Sequence, residues 1–189
     1  MATNIQEHRP EGCDGLHNQA KTRSVTLAQA SLHDGQKLLA FNDLFIGAKS
    51  HVSARYQLTA DRQSESQSSS GVLVSTGAGS TGWLSSMVNM ANGLGAFLDP
   101  MLSPSWSMPL LWEDRQLVWI VREPFVSKSS NARLVAGQLE PGQELVIESQ
   151  MSSDGVIFSD AVEQDFLAFT SGTIATISVA DHAAKLVVR

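Results

Sequence analysis

The run Ser75-Thr76-Gly77-Ala78-Gly79-Ser80-Thr81 concentrates polar chemistry: four hydroxyls and two glycines within seven residues. Glycine lets a backbone approach a ligand closely. The free N–H groups at a helix start favour anions. A plain strand-to-helix turn uses the same residue types, with Thr81 or Ser80 as the helix cap. The residues alone leave both readings open. The run is not a Walker phosphate loop, because that motif needs Lys before its Ser/Thr and Gly79 precedes Ser80. A second polar feature, Asn42-Asp43, separates the apolar runs Leu38–Phe41 and Leu44–Ile46. A polar pair so placed is either a turn or a site aimed into a cleft.

Other candidates have plainer explanations. His8, His17, His33, His51 and His182 are scattered without metal-ligand spacing, so no metal site is expected. Asp160, Glu163 and Asp165 read as a solvated strand edge. Arg122 and Lys128 flank Pro124-Phe125, where they can meet phosphate or serve as surface charge. Trp106 and Trp112 fall in a proline-rich connection over 99–114, suited to a lid, a subunit contact or packing beneath the loop. Cys13 is the single cysteine, which excludes an internal disulfide and fits a reducing compartment. Met1 to Pro10 lack a signal-peptide hydrophobic core, and no apolar run reaches the length of a membrane span. A cytoplasmic protein without a membrane partner is expected. The net charge of −6 argues against a nucleic-acid partner.

These residues need a scaffold. A chain of 189 residues with 42% apolar content can bury a core in one domain. Residues 1–20 are polar and aperiodic, a flexible tail or the remnant of a preceding domain; the domain itself is expected over 21–189. An extended stretch begins at Val25, and His33-Asp34-Gly35 marks a turn. Val52, Ala54, Tyr56 and Leu58 alternate along one strand face. Residues 59–70 are serine-rich and read as a hairpin loop. Val72-Leu73-Val74 reads as a buried strand. Trp83, Met87, Met90, Ala91, Leu94 and Phe97 form one helical stripe. Short strands then follow at Leu117–Val121, Arg133–Val135, Glu144–Glu148, Val156–Phe158, Phe166–Phe169, Thr173–Val179 and Lys185–Val188, with turns at Pro141-Gly142 and Asp154-Gly155. The pattern predicts a mainly β (α+β) fold: an antiparallel β-sandwich-like domain with one main helix at about 80–97.

The order Ala-Phe-Asn-Asp-Leu-Phe-Ile-Gly at 40–47, followed by Gly-Val-Leu-Val-Ser-Thr-Gly-Ala-Gly-Ser-Thr-Gly-Trp at 71–83, resembles the NAD kinase family. The resemblance covers residues 21–189, the part corresponding to that family's C-terminal β-rich domain, and continues weakly through Glu123-Pro124-Phe125 and the strands between Asp154 and Phe169. It implies that Asn42 and Asp43 bind a ribose of a dinucleotide, where a carboxylate accepts from ribose hydroxyls. It implies that Gly79, Ser80, Thr81 and Gly82 form the adjoining turn, with Thr81 on the base or sugar. Trp83 would stack on a base, and Ser86 would reach the same ligand one turn further on. Ser70, Asp43, Ala78 and Trp83 depart from the family's usual Asp, Glu, Thr/Ser and Tyr. The family's Gly-Gly-Asp-Gly-Thr motif, whose Asp is the proposed base, has no counterpart here; Gly12-Cys13-Asp14-Gly15 lacks the flanking strand and helix.

The resemblance thus implies an ATP-dependent NAD kinase domain, with Mg and ATP as cofactors, NAD as substrate and homo-oligomeric assembly. The catalytic base is expected outside this chain, which on its own is predicted to bind weakly and not to turn over. The alternatives are a kinase domain of the same superfamily for a lipid or other alcohol, and a non-catalytic nucleotide-binding or assembly module.

Overall fold

The computed structural model describes residues 21–99, 101 and 105–188. The expected tail at 1–20, with Cys13, His8 and His17, lies outside them.

Fourteen strands and one long helix make up the described chain. The strands up to the helix are β1 (Thr22–Val25), β2 (Ala28–Leu32), β3 (Lys37–Ala40), β4 (Asp43–Ala48), β5 (Ala54–Ala60), β6 (Gln63–Ser69) and β7 (Val72–Ser75). After α1 (Trp83–Leu98) come β8 (Leu117–Val121), β9 (Ala136–Leu139), β10 (Leu145–Ser149), β11 (Gly155–Ser159), β12 (Phe166–Ala168), β13 (Ile174–Val179) and β14 (Ala184–Val187). One six-stranded sheet runs β3-β2-β13-β10-β5-β6 and a second runs β12-β11-β4-β7-β8-β9, while β1 pairs with β14. Every pairing is antiparallel. This is the mainly β, α+β architecture expected from the sequence.

The sheets share one core. Ala30, Tyr56, Leu58, Ile147 and Ile177 of the first sheet join Leu44, Ile46, Val74 and Ile157 of the second in a single buried cluster. Alternation along each strand dictates which residues enter it. In β7, Val72 and Val74 face this core, while Leu73 points the other way and packs with Val118 under Leu84 of α1. Burial on both faces is why β7 reads as an unbroken apolar run.

Four expectations change in the structure. The serine-rich stretch 59–70 is not a loop: β5 and β6 form a hairpin whose tip is Asp61-Arg62, both with positive φ (47° and 64°). Its alternation is written in polar side chains, since Glu65, Gln67 and Ser69 face inward. Glu65 Oε1 accepts the Arg133 and Leu134 N–H groups at 3.0 and 3.2 Å, and Gln67 Nε2 donates to Glu65 Oε1 at 2.8 Å. Those bonds occupy 133–134, so the strand expected at Arg133–Val135 begins instead at Ala136. Leu39 is half exposed because it alternates with Leu38 and Ala40, which face the core, and Val52 lies outside β5 in an exposed turn.

The helix also differs. It starts at Trp83, after a short 3₁₀ turn over Gly79–Thr81. Neither Ser80 nor Thr81 caps it; Gly82 holds the cap position without a side-chain bond. The expected stripe meets the sheet only through its first turns. Trp83 and Met87 pack beside Leu84, whereas Met90, Leu94 and Phe97 are 45%, 52% and 79% exposed. The described part of the 99–114 connection carries no helix or strand and is tied to α1 by Asn92, which exchanges two hydrogen bonds with the Trp106 backbone.

Candidate functional site

The outer face of the second sheet carries the candidate site. In β4, Leu44 and Ile46 enter the core, so Asp43, Phe45 and Gly47 face outward. Register then fixes their neighbours. Asp43 lies opposite Ser75 of β7, and Phe45 lies between Leu73 of β7 and Phe158 of β11.

The glycine-rich run leaves β7 and folds back onto the start of β4. The Thr76 N–H donates to the Asn42 carbonyl at 2.9 Å. The Thr76 hydroxyl donates to the Phe41 carbonyl at 2.6 Å and accepts from the Ala78 N–H at 3.1 Å and the Gly79 N–H at 3.3 Å. One hydroxyl thereby shapes the turn and fixes it to Asn42. Two glycines are needed for the fit: a Cβ on Gly77 would overlap the Leu111 carbonyl, and one on Gly79 would stand 2.7 Å from Asp43 Oδ1. The sequence-distant features Asn42-Asp43 and Gly79–Thr81 therefore touch.

Asp160 completes the frame from the end of β11. Its carboxylate accepts three consecutive backbone N–H groups, Phe41 at 2.9 Å, Asn42 at 2.6 Å and Asp43 at 3.2 Å. The Asp160 N–H in turn donates to the Asp43 carbonyl at 2.9 Å. Asp160 and Ala161 hold positive φ angles of 53° and 59°, an uncommon turn for non-glycine residues. Asp160 is thus a structural anchor rather than the solvated edge read from its sequence neighbourhood. Nothing in its local sequence announces this, because its partners lie more than a hundred residues away.

Asp43 is the reactive-looking member of the group. Its Oδ1 is buried without a hydrogen-bond partner. Burial raises its pKa above the ordinary carboxyl value; the Ser75 hydroxyl opposes this and the charge of Asp160 adds to it.

A cavity of about 330 Å3 is lined by Asn42, Asp43, Gly79, Thr81, Trp83 and Asp160 among others. A larger cavity of about 510 Å3 adjoins it and shares Phe45, Trp83 and Phe158. These rings form a wall: Trp83 stacks on Phe45 with centroids 5.8 Å apart and planes 8° from parallel, and Phe45 meets Phe158 at 4.9 Å. Arg122 lies over Trp83, 4.9 Å from the ring centroid.

The structure gathers most of the residues singled out from sequence. Asn42, Asp43, Gly79, Thr81, Gly82 and Trp83 line the smaller cavity. Ser80 does not: its buried hydroxyl donates to the Gly77 carbonyl at 2.8 Å, and the residue lines a separate cleft between α1 and the 105–110 segment. Ser86 lines none of these cavities and is exposed, with its hydroxyl 3.3 Å from the Gly82 carbonyl. Arg122 lines the larger cavity and Lys128 does not. Phe45 and Phe158 stand in the sequence as strand residues only; the period of two along β4, which separates Phe45 from Leu44 and Ile46, is the signal that marks Phe45.

No family model and no curated protein sequence matches the chain. Among solved structures, it is similar to yeast NADH kinase in complex with NADH, with a TM-score of 0.61 and 16% identity. The match covers 90% of this chain and 45% of that one, so the chain spans under half the length of that kinase. At this identity the likeness is one of fold: most of the chain is built like part of an NAD-kinase-like structure.

Proposed function

We propose that this chain supplies the dinucleotide cradle of an NAD-kinase-like phosphotransferase. In this reading Asp43 accepts hydrogen bonds from ribose hydroxyls, Asn42 and Thr81 flank the sugar and base, and Trp83 forms the apolar wall. The observation that carries it is the placement of Asp43 with Asn42 and Thr81 in the lining of one cavity, packed against a turn that only glycine at position 79 permits. The likeness in fold to NADH kinase supports the choice of a dinucleotide.

The reaction would move the terminal phosphoryl group of ATP to the 2′-hydroxyl of the adenosine ribose of NAD. Such transfer depends on positioning and charge stabilisation. What these residues do is bind and orient the acceptor. Among the described residues, no group of three or more His, Cys, Asp or Glu side chains is arranged to hold a metal ion. In this reading the catalytic base lies outside this chain, and no described residue is assigned to Mg–ATP. Assembly into homo-oligomers belongs to the same proposal, with Trp106 as a half-exposed candidate contact. So does a cytoplasmic location; no described helix is long and apolar enough to cross a membrane.

A second reading keeps the scaffold and changes the acceptor to a lipid or other alcohol. It is favoured by the shorter Asp43 and by the aromatic wall of Phe45, Phe158 and Phe166 around the larger cavity. Thermal shifts of the purified chain with NAD and with dispersed diacylglycerol separate the two. Stabilisation by NAD supports the dinucleotide cradle, and stabilisation by the lipid alone overturns it. Formation of NADP from NAD and Mg–ATP by the isolated chain would overturn the assignment of the base to other residues.

A further inference from the structure

The larger cavity contains two cations with no carboxylate partner. Lys49 Nζ lies 4.9 Å from the centroid of Phe166, and the Arg122 guanidinium lies 4.9 Å from Trp83 and 5.8 Å from Phe45. Both residues line the cavity, and among the described residues neither forms an ion pair. The rings orient the cations without neutralising them, because a ring face offers a quadrupole and not a charge. Their N–H groups remain available to an anion.

Two carboxylates also border this space. The Glu123 carboxylate accepts a hydrogen bond from the Ser70 hydroxyl, which fixes its position and leaves its charge in place. Glu163 belongs to the exposed turn after β11 and stands at the rim. His51 adds a third nitrogen-bearing side chain to the lining. The position of the cavity supplies the rest. It meets the smaller cavity at Phe45, Trp83 and Phe158, so a ligand whose sugar lies at Asp43 can cross that aromatic wall.

We infer that the larger cavity is the phosphate compartment of the nucleotide site, with Lys49 and Arg122 contacting the diphosphate of a nucleotide whose nucleoside end lies at Asp43. This rests on the reading of the smaller cavity as a nucleoside site. Arg122 presents a planar fork suited to paired phosphate oxygens, and Lys49 supplies a point charge in the same lining. Glu163 adds negative charge to the same lining and lowers the affinity for anions.

The test is calorimetric titration of the purified chain with adenosine, ADP, NAD and inorganic pyrophosphate, at low and at high salt. The wild type is expected to bind ADP and NAD at least about tenfold more tightly than adenosine, with that preference shrinking as salt rises. The Lys49→Gln/Arg122→Gln double variant is expected to bind ADP no better than adenosine while keeping its affinity for adenosine. Glu163→Gln is expected to strengthen ADP binding about two- to threefold, in line with an exposed charge. An unchanged preference for ADP in the double variant overturns the inference, as does equal binding of adenosine and ADP by the wild type. A chain that binds pyrophosphate through Lys49 and Arg122 but ignores adenosine overturns the nucleoside reading and leaves the anion compartment standing.

Discussion

Gly79 and Asp43 are packed so closely that a methyl group on Gly79 would stand 2.7 Å from Asp43 Oδ1. The glycine-rich turn and the carboxylate thus share one surface. Gly79→Ala must push the turn from β4, because the methyl would also overlap the Asn42 carbonyl oxygen, a clash that rotating Asp43 does not relieve. Overpacking of this kind costs about 1–3 kcal/mol. We expect a folded, less stable protein whose affinity for adenosine falls at least about tenfold. A Gly79→Ala variant that binds like the wild type would show that the contact does not set the site.

Asp43 is predicted to be a stability cost kept for binding. Its pKa is raised in the fold, chiefly by burial, so the folded chain holds that proton more tightly than the unfolded chain. The neutral form favours folding, and that contribution is fully present below the ordinary carboxyl value of 3.8. It is lost as pH rises through the raised value. Asp43→Asn removes the charge, so the variant should melt higher than the wild type at neutral pH, with the difference narrowing toward acid. Thermal denaturation across pH 3–7 measures this, and a variant that melts lower throughout would contradict it.

Asp160 should matter to stability more than its exposure suggests. Replacing it with Ala leaves the Phe41, Asn42 and Asp43 N–H groups without their acceptor. A loss of about 2–3 kcal/mol follows from bonds to a charged acceptor, seen as a melting temperature lower by roughly 5–10 °C. Asp160→Asn keeps one carbonyl acceptor and should recover part of the loss. Equal melting of the wild type and Asp160→Ala would remove Asp160 from the frame.

Ser86 separates the geometry from the sequence resemblance. The resemblance places it on the ligand, whereas the structure places its hydroxyl 3.3 Å from the Gly82 carbonyl, away from the cavities. Ser86→Ala should therefore bind adenosine and NAD within about twofold of wild type, a difference of about 0.4 kcal/mol. A tenfold loss would restore it to the site.

The sequence made the scaffold legible where burial follows apolar period. β7, β8, β10 and β13 all appear as apolar or alternating runs, and the Gly35 and Gly142 turns have the positive φ their glycines announced. It failed where burial is polar. β6 hides its inward face in Glu65, Gln67 and Ser69, which no hydropathy pattern marks. The helix stripe was real as a period and incomplete as a contact, because period cannot say how far a sheet extends beneath a helix. At the site, Asn42, Asp43 and Gly79 were visible from residue type. Their mutual contact, the anchoring by Asp160 and the placement of Lys49 and Arg122 on aromatic rings are tertiary, and local spacing carries no trace of them.

The central claim is that Asp43 holds a ribose. Titration of NAD into the wild type and into Asp43→Asn at neutral pH, with thermal melting of both samples, tests it most directly. The account predicts saturable binding by the wild type and at least about a tenfold weaker affinity in an Asp43→Asn protein that is folded and melts higher. Equal affinity of the two proteins for NAD would contradict it.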